Sequence, residues 1–192
     1  MLKAYHGFLE PQKRSFNNME SVLFYNIINI QKHYSAIAWS EVGIVALTYP
    51  QRKKLWIRRK LEDKIQHRYP YVLFLRPIPR QYYLWVQKAW TGRLNDKIIL
   101  DLNGLPDFQK KILEITKNIL IGNTCSYSWI ADHAGFPNSS RAVGNALNKN
   151  PIPLLIPCHR VVLKNHNLGG FRYGHKAKWE LLKKEKMNKF LL

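Results

Sequence analysis

Apolar and polar residues alternate, as in a β-strand, in the first part of the chain and recur at helical spacing towards its end. From residue 34 to residue 40 the side chains alternate, a turn signal follows at Glu41-Val42-Gly43, and apolar residues dominate from 44 to 49. Alternation on both sides of a glycine-containing turn predicts a β-hairpin with Gly43 in its loop. We further predict helices over residues 52–68 and 81–90 and short strands over residues 71–75 and 97–101. The first 30 residues are weakly patterned and predict no element.

The pattern becomes helical after Asn103-Gly104-Leu105-Pro106, which is the expected domain boundary because glycine and proline interrupt regular structure. Asp107 is expected to cap a helix that Gly122 ends. The apolar residues that recur at helical spacing in it are Phe108, Ile112, Ile115 and Ile119.

Two shorter helices are predicted next, with a glycine between them. The first is capped by Ser126 and runs to residue 133, followed by Gly135, and the second begins at Ser139 or Ser140 and runs to residue 147. A helix, a tight turn and a second helix are the outline of a helix-turn-helix.

The charge of the chain narrows the class of its partner. Its 192 residues include 31 Lys and Arg against 12 Asp and Glu, a formal net charge of +19 at pH 7, and residues 51–100 alone hold thirteen basic and three acidic side chains. Such an excess favours nucleic acid or an anionic membrane. No apolar stretch approaches the ~20 residues of a spanning helix, and the first residues lack a secretory signal pattern. We therefore expect no membrane partner and a reducing intracellular compartment: the cytoplasm and nucleoid or, in a eukaryote, the nucleus.

The two cysteines, Cys125 and Cys158, are too few for a disulfide framework or a four-cysteine zinc site. Cys158 follows a stretch, residues 150–157, that three prolines make rigid, and it precedes His159 and Arg160. A thiol beside a proton acceptor and a cation is expected to have a lowered pKa and to act as a nucleophile. Cys125 has only Thr and Ser neighbours and is expected to be inert.

The string Pro157-Cys158-His159-Arg160-Val161 and its surroundings resemble one family. Residues 107–186 are similar to the catalytic domain of the methylated-DNA–protein-cysteine methyltransferases, also called O6-alkylguanine-DNA alkyltransferases. Residues 122–127, residues 141–146, Asn150-Pro151 and residues 170–174 match in order and spacing. The resemblance implies DNA repair: an alkyl or methyl group moves from O6 of guanine in double-stranded DNA to Cys158, once per molecule, after the base has been flipped out of the stack.

The family pattern implies roles for three residues around this cysteine. Glu185 orients His159, which takes the thiol proton through a water molecule. The phenol of Tyr127 supports the charge that develops on the leaving guanine. By residue type alone, Glu185 would be a solvated charge in a lysine-rich tail and Tyr127 a packing residue.

A second group of residues is implied in DNA binding. Arg141 would fill the gap left by the flipped base, and the small residues Ala142 and Gly144 would let their helix approach the minor groove closely. Ser128 and Lys164 correspond to positions that touch the DNA backbone in the family.

The resemblance also implies an alkyl pocket and a hinge beside it. The hinge is Asn150, which ties the turn before the cysteine, and the pocket residues are Pro153, Val161, Phe171 and Arg172. The carbonyls of Cys158 and Val161 would accept hydrogen bonds from the guanine amino group. Phe171 stands where tyrosine is commoner in the family, so a hydroxyl hydrogen bond is lost and the preferred size of the alkyl group is affected.

The implied fold is α+β, with a small RNase H-like α/β domain over residues 34–103 and a mainly helical, winged-helix-like catalytic domain with a helix-turn-helix over residues 104–192. Residues 1–33 would be an N-terminal extension of uncertain structure. Some family members bind a structural zinc through N-terminal Cys and His residues. Because this chain has no N-terminal cysteine, we expect no metal, no cofactor, and a monomer whose partner is DNA containing O6-alkylguanine.

Three other functions fit parts of the pattern. An alkyltransferase-like protein binds and flips the lesion without an acceptor cysteine, and Cys158 argues against that alternative. A helix-turn-helix regulator reads the major groove with long polar side chains, which the small residues at 142, 144 and 146 do not suit. A thiol protease would need a second histidine and an Asn or Asp signature, which do not accompany Cys158.

Overall fold

The computed structural model of the chain describes residues 21–68 and 70–185, which form a mixed α+β structure. We call residues 21–103 the N-terminal part and residues 104–185 the C-terminal part. The N-terminal part holds a four-stranded sheet, and the C-terminal part holds four of the six α-helices of the described residues.

The sheet of the N-terminal part has the strand order β3-β2-β1-β4. Strand β1 (Ser21–Ile30) pairs antiparallel with β2 (His33–Trp39), and β2 pairs antiparallel with β3 (Ile44–Leu47). Strand β4 (Tyr71–Leu75) lies parallel to β1 on its other side. The predicted hairpin and the predicted strand over residues 71–75 are both confirmed.

Strand β1 lies in a stretch assigned from the sequence to the N-terminal extension, residues 1–33. It hydrogen-bonds to β2 on one side and to β4 on the other, so residues 21–33 are part of the sheet. A central strand is covered on both faces and therefore has a nearly continuous apolar sequence instead of a clean alternation. Residues 1–20 of that extension lie outside the described residues.

Helices α1 (Ile57–Ile65) and α2 (Arg80–Trp90) belong to the N-terminal part. Helix α1 packs on β2 and β3 through its buried residues Ile57, Leu61 and Ile65. It is shorter than the predicted helix over residues 52–68, because Trp56, the residue immediately before it, has a left-handed φ of 61°.

The strand predicted over residues 97–101 does not form, and that prediction is wrong. The segment makes one isolated bridge to β3, in which the Ile44 N–H donates to the Ile99 carbonyl (3.2 Å) and the Asp101 N–H donates to the Ile44 carbonyl (2.9 Å). Gly43 is required beside it, because a Cβ at this position would come within 2.9 Å of the Ile99 carbonyl oxygen.

The C-terminal part begins with α3 (Asp107–Lys117), followed by α4 (Tyr127–His133), α5 (Ser140–Asn148) and α6 (His175–Lys184). Ser126 caps α4 as predicted, and its Oγ accepts the N–H of Trp129 at 3.0 Å. Asp107 is not a cap, because Pro106 occupies the cap position of α3 and Asp107 is its first helical residue. Helix α3 ends at residue 117, before Gly122, which lies in the following turn with a φ of 82°. None of the helices in the described ranges is long and apolar enough to span a membrane.

The two parts share one hydrophobic cluster. Trp39 and Trp85 of the N-terminal part belong to the same cluster as Ile112 of the C-terminal part. At the edge of the sheet, the N–H of Leu47 donates to the Pro151 carbonyl at 2.9 Å. Strand β3 is therefore attached directly to the stretch that precedes Cys158.

Candidate active site

The loop before Cys158 is held together by one buried asparagine. The side-chain oxygen of Asn150 accepts the N–H of Ile152 (2.9 Å), and its amide nitrogen donates to the Ile156 carbonyl (3.0 Å) and to Sγ of Cys158 (3.3 Å). Asn150 thus closes the loop and places a hydrogen-bond donor on the cysteine sulfur. Such a donor stabilises the ionised form of a thiol.

Two short strands bring Tyr127 next to the cysteine. Cys158–Arg160 forms one 3₁₀ turn that continues into β6 (Val161–Val162), and β6 pairs in parallel with β5 (Cys125–Ser126), which leads into α4. The phenol of Tyr127 donates to the Gly170 carbonyl at 3.1 Å. The first residue of α4 and the segment before α6 are therefore joined across the site.

Behind Cys158, three charged or titratable side chains form a buried cluster. Glu185 accepts from Nε2 of His159 (2.9 Å) and from Nε and an Nη of Arg160 (3.0 and 2.8 Å). Arg160 also donates to the carbonyl of Ile119 at the end of α3. Because a carboxylate only accepts, the proton of a neutral His159 is on Nε2, and Nδ1 carries a lone pair. Within the described residues, Nδ1 has no hydrogen-bond partner.

The charges in this cluster follow from its burial. Burial alone would raise the pKa of Glu185, but the hydrogen bonds from His159 and Arg160 outweigh it and lower the pKa to about 2. Burial lowers the pKa of His159, although Glu185 opposes this effect. The arrangement is a neutral imidazole, oriented by a carboxylate, with a free basic nitrogen.

Cys158 is only 8% exposed, and burial raises the pKa of its thiol above the ordinary value. The hydrogen bond from Asn150 and the positive charges of Lys178 and Lys64 act in the opposite direction. The sequence-based expectation that His159 and Arg160 lower this pKa is wrong, because the Arg160 guanidinium points to Glu185 and Ile119. The cations that favour the thiolate come from distant parts of the chain.

Lys178 lies on α6 and is fully buried. Its Nζ donates to the carbonyls of Val161 (2.6 Å) and Gly170 (3.2 Å) and lies 5.8 Å from the ring centre of Tyr127. Burial lowers its pKa to about 8, so it is predominantly charged at neutral pH. Lys178 therefore connects β6, the segment before α6 and Tyr127 with one cation.

Cys158 opens on a cavity of about 560 Å³. This volume is within the usual range for small-molecule sites. The wall includes Tyr127, Arg141, Gly144, Pro153, Phe171 and Arg172. The cavity thus has a free thiol on its wall, aromatic and apolar side chains around it, and an exposed arginine, Arg141, among its lining residues. Over residues 21–68 and 70–185, no three His, Cys, Asp or Glu side chains are grouped so as to hold a metal ion.

Comparisons with known proteins agree with this geometry. A family model described as the DNA-binding domain of 6-O-methylguanine DNA methyltransferase matches residues 107–187. The methylated-DNA–protein-cysteine methyltransferase of Methanocaldococcus jannaschii is 43% identical over 107 residues, which cover 54% of this chain and 62% of the relative. The chain thus spans less than two thirds of that relative in sequence, and 50% of the relative from Methanothermobacter thermautotrophicus.

Solved structures extend the likeness over nearly the whole chain. The crystal structure of the Mycobacterium tuberculosis protein OGT in complex with DNA has a TM-score of 0.67 at 27% identity, covering 85% of this chain and 93% of that one. An O6-methylguanine DNA methyltransferase from Methanococcus jannaschii has a TM-score of 0.58 at 31% identity, covering 87% of this chain and 96% of that one. This chain belongs to the O6-methylguanine DNA methyltransferase family. The mixed α+β fold is that of the OGT structures.

In this family member, the structure gathers most of the predicted site residues around the sulfur. The predicted residues that line the cavity are Tyr127, Arg141, Gly144, Asn150, Pro153, Cys158, Phe171 and Arg172. His159 and Glu185 lie together behind Cys158. The carbonyls of Cys158 and Val161, expected to face the guanine amino group, already accept the Val161 N–H and the Lys178 ammonium respectively.

Three predicted DNA-binding residues lie outside the cavity wall. Ala142 and Lys164 are exposed, and Ser128 is half-buried with its hydroxyl 2.9 Å from that of Ser126. Ala142 shares α5 with Arg141 and Gly144, both of which line the cavity. The surface that carries these residues therefore adjoins the cavity.

Several residues of the site were missed from the sequence. Tyr173 lines the cavity and stacks on Tyr49, with ring centres 4.4 Å apart. Lys178 lies in a lysine-rich stretch in which no spacing distinguishes it from solvated lysines, and Lys64 belongs to the basic helix α1. The only sequence signal for Lys178 was its place on the apolar side of α6, three residues before Leu181.

Proposed function

We propose that this protein transfers an alkyl group from O6 of alkylated guanine in double-stranded DNA to Sγ of Cys158. The thiol proton passes through a water molecule to Nδ1 of His159, the Sγ–carbon bond forms, and the carbon–O6 bond breaks. The guanine leaves with the electron pair of that bond and takes up the proton that His159 had accepted, so that both are neutral at the end. Tyr127 exchanges its hydrogen bond to the Gly170 carbonyl for one to the leaving guanine, and it stays protonated because burial and the nearby Cys158 raise the pKa of its phenol.

One observation carries this proposal: Cys158 lines the cavity, and His159, the next residue of the chain, is held by Glu185 with its Nδ1 unpaired among the described residues. A nucleophile, a base and an orienting carboxylate are what activation of a buried thiol requires. The product is a thioether, and no group of the cavity is suited to cleave it. Each molecule is therefore expected to act once.

The DNA side of the proposal rests on α4, the turn at residues 134–139, and α5. Arg141 at the cavity edge would occupy the gap left by the flipped base, and unstacking a base costs a few kcal/mol. Ala142 and Gly144 add little bulk to the same helix, as an approach to the minor groove requires. Ser128 and Lys164 would contact phosphates.

We also propose a domain organisation for the chain. Three antiparallel strands followed by β4 parallel to β1 support an RNase H-like sheet in a first domain that extends to residue 103. The C-terminal part would be the winged-helix-like catalytic domain. We propose that the protein acts on DNA as a monomer in a reducing compartment, since both cysteines are free and one must stay nucleophilic.

The test is intact-mass measurement after incubation with duplex DNA that contains O6-methylguanine. We expect the wild-type protein to gain one methyl group, located on the peptide that contains Cys158. Cys158→Ala should gain none. Cys125→Ser is the matched control and should react as the wild type does, because Cys125 lies on β5 and not on the cavity wall.

Two outcomes would contradict the proposal. A wild-type protein that binds the modified duplex without gaining mass would be a lesion-binding protein of the alkyltransferase-like kind. Methylation that persists in Cys158→Ala and disappears in Cys125→Ser would show that the acceptor is Cys125 and not Cys158.

A further inference from the structure

A second cavity, of about 290 Å³, lies next to the one that Cys158 opens on. Arg172 and Tyr173 line both cavities and form the wall between them. The far side of the second cavity is lined by Lys60 and Lys64 of α1, which belongs to the N-terminal part. This cavity is therefore the place where the N-terminal part comes close to the reacting cysteine.

Lys64 of the N-terminal part makes a hydrogen bond to the C-terminal part. Its Nζ donates to the main-chain carbonyl of Asn150 at 3.2 Å. The side chain of the same Asn150 donates to Sγ of Cys158 at 3.3 Å. One residue thus separates the ammonium group from the sulfur along the chain of hydrogen bonds.

The surroundings of Lys64 offer no carboxylate partner within the described ranges of the chain. Asp63 lines the same cavity, but no ion pair forms between the two side chains. Burial and Arg172 lower the pKa of Lys64 to about 8, whereas ionised Cys158 raises it. A partly buried cation without a carboxylate carries a desolvation cost. The negative charge that would offset this cost is the Cys158 thiolate.

We propose that Lys64 is a positioning residue of this active site: it holds the Asn150 carbonyl and places a positive charge that stabilises the Cys158 thiolate. This inference rests on the proposed function only for its meaning in alkyl transfer. The effect on the ionisation of Cys158 is measurable without any DNA substrate. Through Lys64, the N-terminal part contributes to the chemistry of the C-terminal part.

The effect of Lys64 depends on pH in a defined direction. The ammonium is charged below about pH 8 and loses its charge above it. Its help to the thiolate is therefore present at neutral pH and disappears as the pH rises. The other titratable groups around Lys64 are Lys60 and Asp63 on α1, Tyr49 after β3, Arg172 and Tyr173 before α6, and Cys158 itself.

The experiment compares three variants in a Cys125→Ser background, so that Cys158 is the only thiol. Lys64→Met removes the charge, Lys64→Arg keeps it at every pH used, and Lys60→Met is the matched control, an exposed lysine one turn earlier that bonds to Gln51 at 2.6 Å. Thiolate formation is followed by ultraviolet absorbance and by the rate of alkylation with iodoacetamide between pH 6 and 10. The rate of reaction with free O6-benzylguanine base is measured in parallel.

For Lys64→Met we expect about a tenfold loss of thiolate near pH 7, where Lys64 of the parent is charged, and a loss that shrinks above about pH 8, where Lys64 is not. Its alkylation rate should approach that of the parent above pH 9. Lys64→Arg should retain the alkylation rate at neutral pH. Because arginine stays charged throughout the range, the thiolate titration of this variant should show no change near pH 8. Lys60→Met should follow the parent throughout.

A Lys64→Met titration that overlays the parent curve would overturn the proposal, as would a rate ratio that stays constant across the pH range. Equal effects of Lys60→Met and Lys64→Met would also overturn it. If Lys64→Met does not fold, the Lys64→Arg profile decides, because a change near pH 8 that persists in Lys64→Arg cannot come from Lys64. If the titrations follow the expectation but the parent protein gains no methyl group from duplex DNA containing O6-methylguanine, the inference about Lys64 stands and the proposed function is wrong.

Discussion

The N-terminal and C-terminal parts each enclose an arginine beside a carboxylate, but only the second cluster includes a histidine. In the N-terminal part, Arg68 donates to the carbonyls of Val45 and Asp101, and its guanidinium lies 3.8 Å from the Asp101 carboxylate. In the C-terminal part, Glu185 accepts both from Arg160 and from the histidine. The same kind of buried pair therefore fixes loops in one part and orients a histidine in the other.

The largest expected effect concerns the stability that each cluster provides. Glu185→Gln should lower the free energy of unfolding by about 3–5 kcal/mol, because it leaves the buried Arg160 without its counter-charge. Asp101→Asn should cost about 1–3 kcal/mol, because Arg68 keeps its main-chain acceptors. Urea denaturation of both variants and the wild type measures the difference.

The stability that Glu185 contributes should depend on pH, which makes this test more specific. The pKa of Glu185 is lowered in the folded protein from 4.5 to about 2, so its stabilising contribution is complete above pH 4.5 and is lost as the pH falls through about 2. The deficit of Glu185→Gln should therefore shrink in acid. An equal cost for Asp101→Asn and Glu185→Gln at neutral pH would remove the distinction between the two clusters.

The next largest effect concerns Arg141, a cation on the wall of the cavity. Arg141→Ala should slow reaction with O6-methylguanine in duplex DNA by roughly 10–100-fold, the equivalent of part of the few kcal/mol needed to unstack a base. It should slow reaction with the free base much less, because no base has to be replaced there. Single-turnover rates on both substrates measure this.

Lys149→Ala is the control for Arg141→Ala. Lys149 is an exposed cation just after the same helix and does not line the cavity. It should change both rates little. Equal slowing of the duplex and free-base reactions by Arg141→Ala would exclude a role in flipping.

The smallest effect concerns exposed cations of the N-terminal part that do not line the cavity at Cys158. Neutralising the exposed residues Arg52, Lys53 and Lys54 to Gln should weaken duplex binding about threefold to tenfold and reduce the slope of log affinity against log salt by about 1–3. Reaction with the free base should be unchanged. Binding titrations at several salt concentrations provide the slope.

A matched triple variant decides whether that charge is localised. Arg80, Arg93 and Lys97 are also exposed and belong to the same part, and their change to Gln removes the same charge. Similar slopes for the two triple variants would show a diffuse attraction. A clear excess for residues 52–54 would locate a DNA contact on the N-terminal part.

Where structure depends on neighbours in the chain, the sequence was sufficient to predict it. The Ser126 cap of α4, the hairpin around Gly43 and the strand over residues 71–75 follow from local patterns. The rigid stretch before Cys158 is also encoded locally, in its prolines and in Asn150. The family motif is dense there because the chemistry needs neighbouring residues.

Where structure depends on distant residues, the sequence was insufficient. The segment at 97–101 has a strand-like composition, but it meets β3 through a single bridge. Strand β1 has no alternation because it is covered on both faces. Lys64 and Lys178 reach carbonyls 86 and 17 residues away in the chain, and no spacing within a helix indicates such contacts.

The burial of Cys158 has a consequence for the protein between encounters with DNA. Oxidants such as peroxide attack thiolates that are accessible to solvent. A cysteine that is 8% exposed, with the pKa of its thiol raised by burial, rests mainly in the protonated form. If each molecule reacts only once, a molecule whose Cys158 is oxidised before it meets DNA is lost for alkyl transfer. The burial of Cys158 is therefore expected to preserve its thiol until the protein meets its substrate.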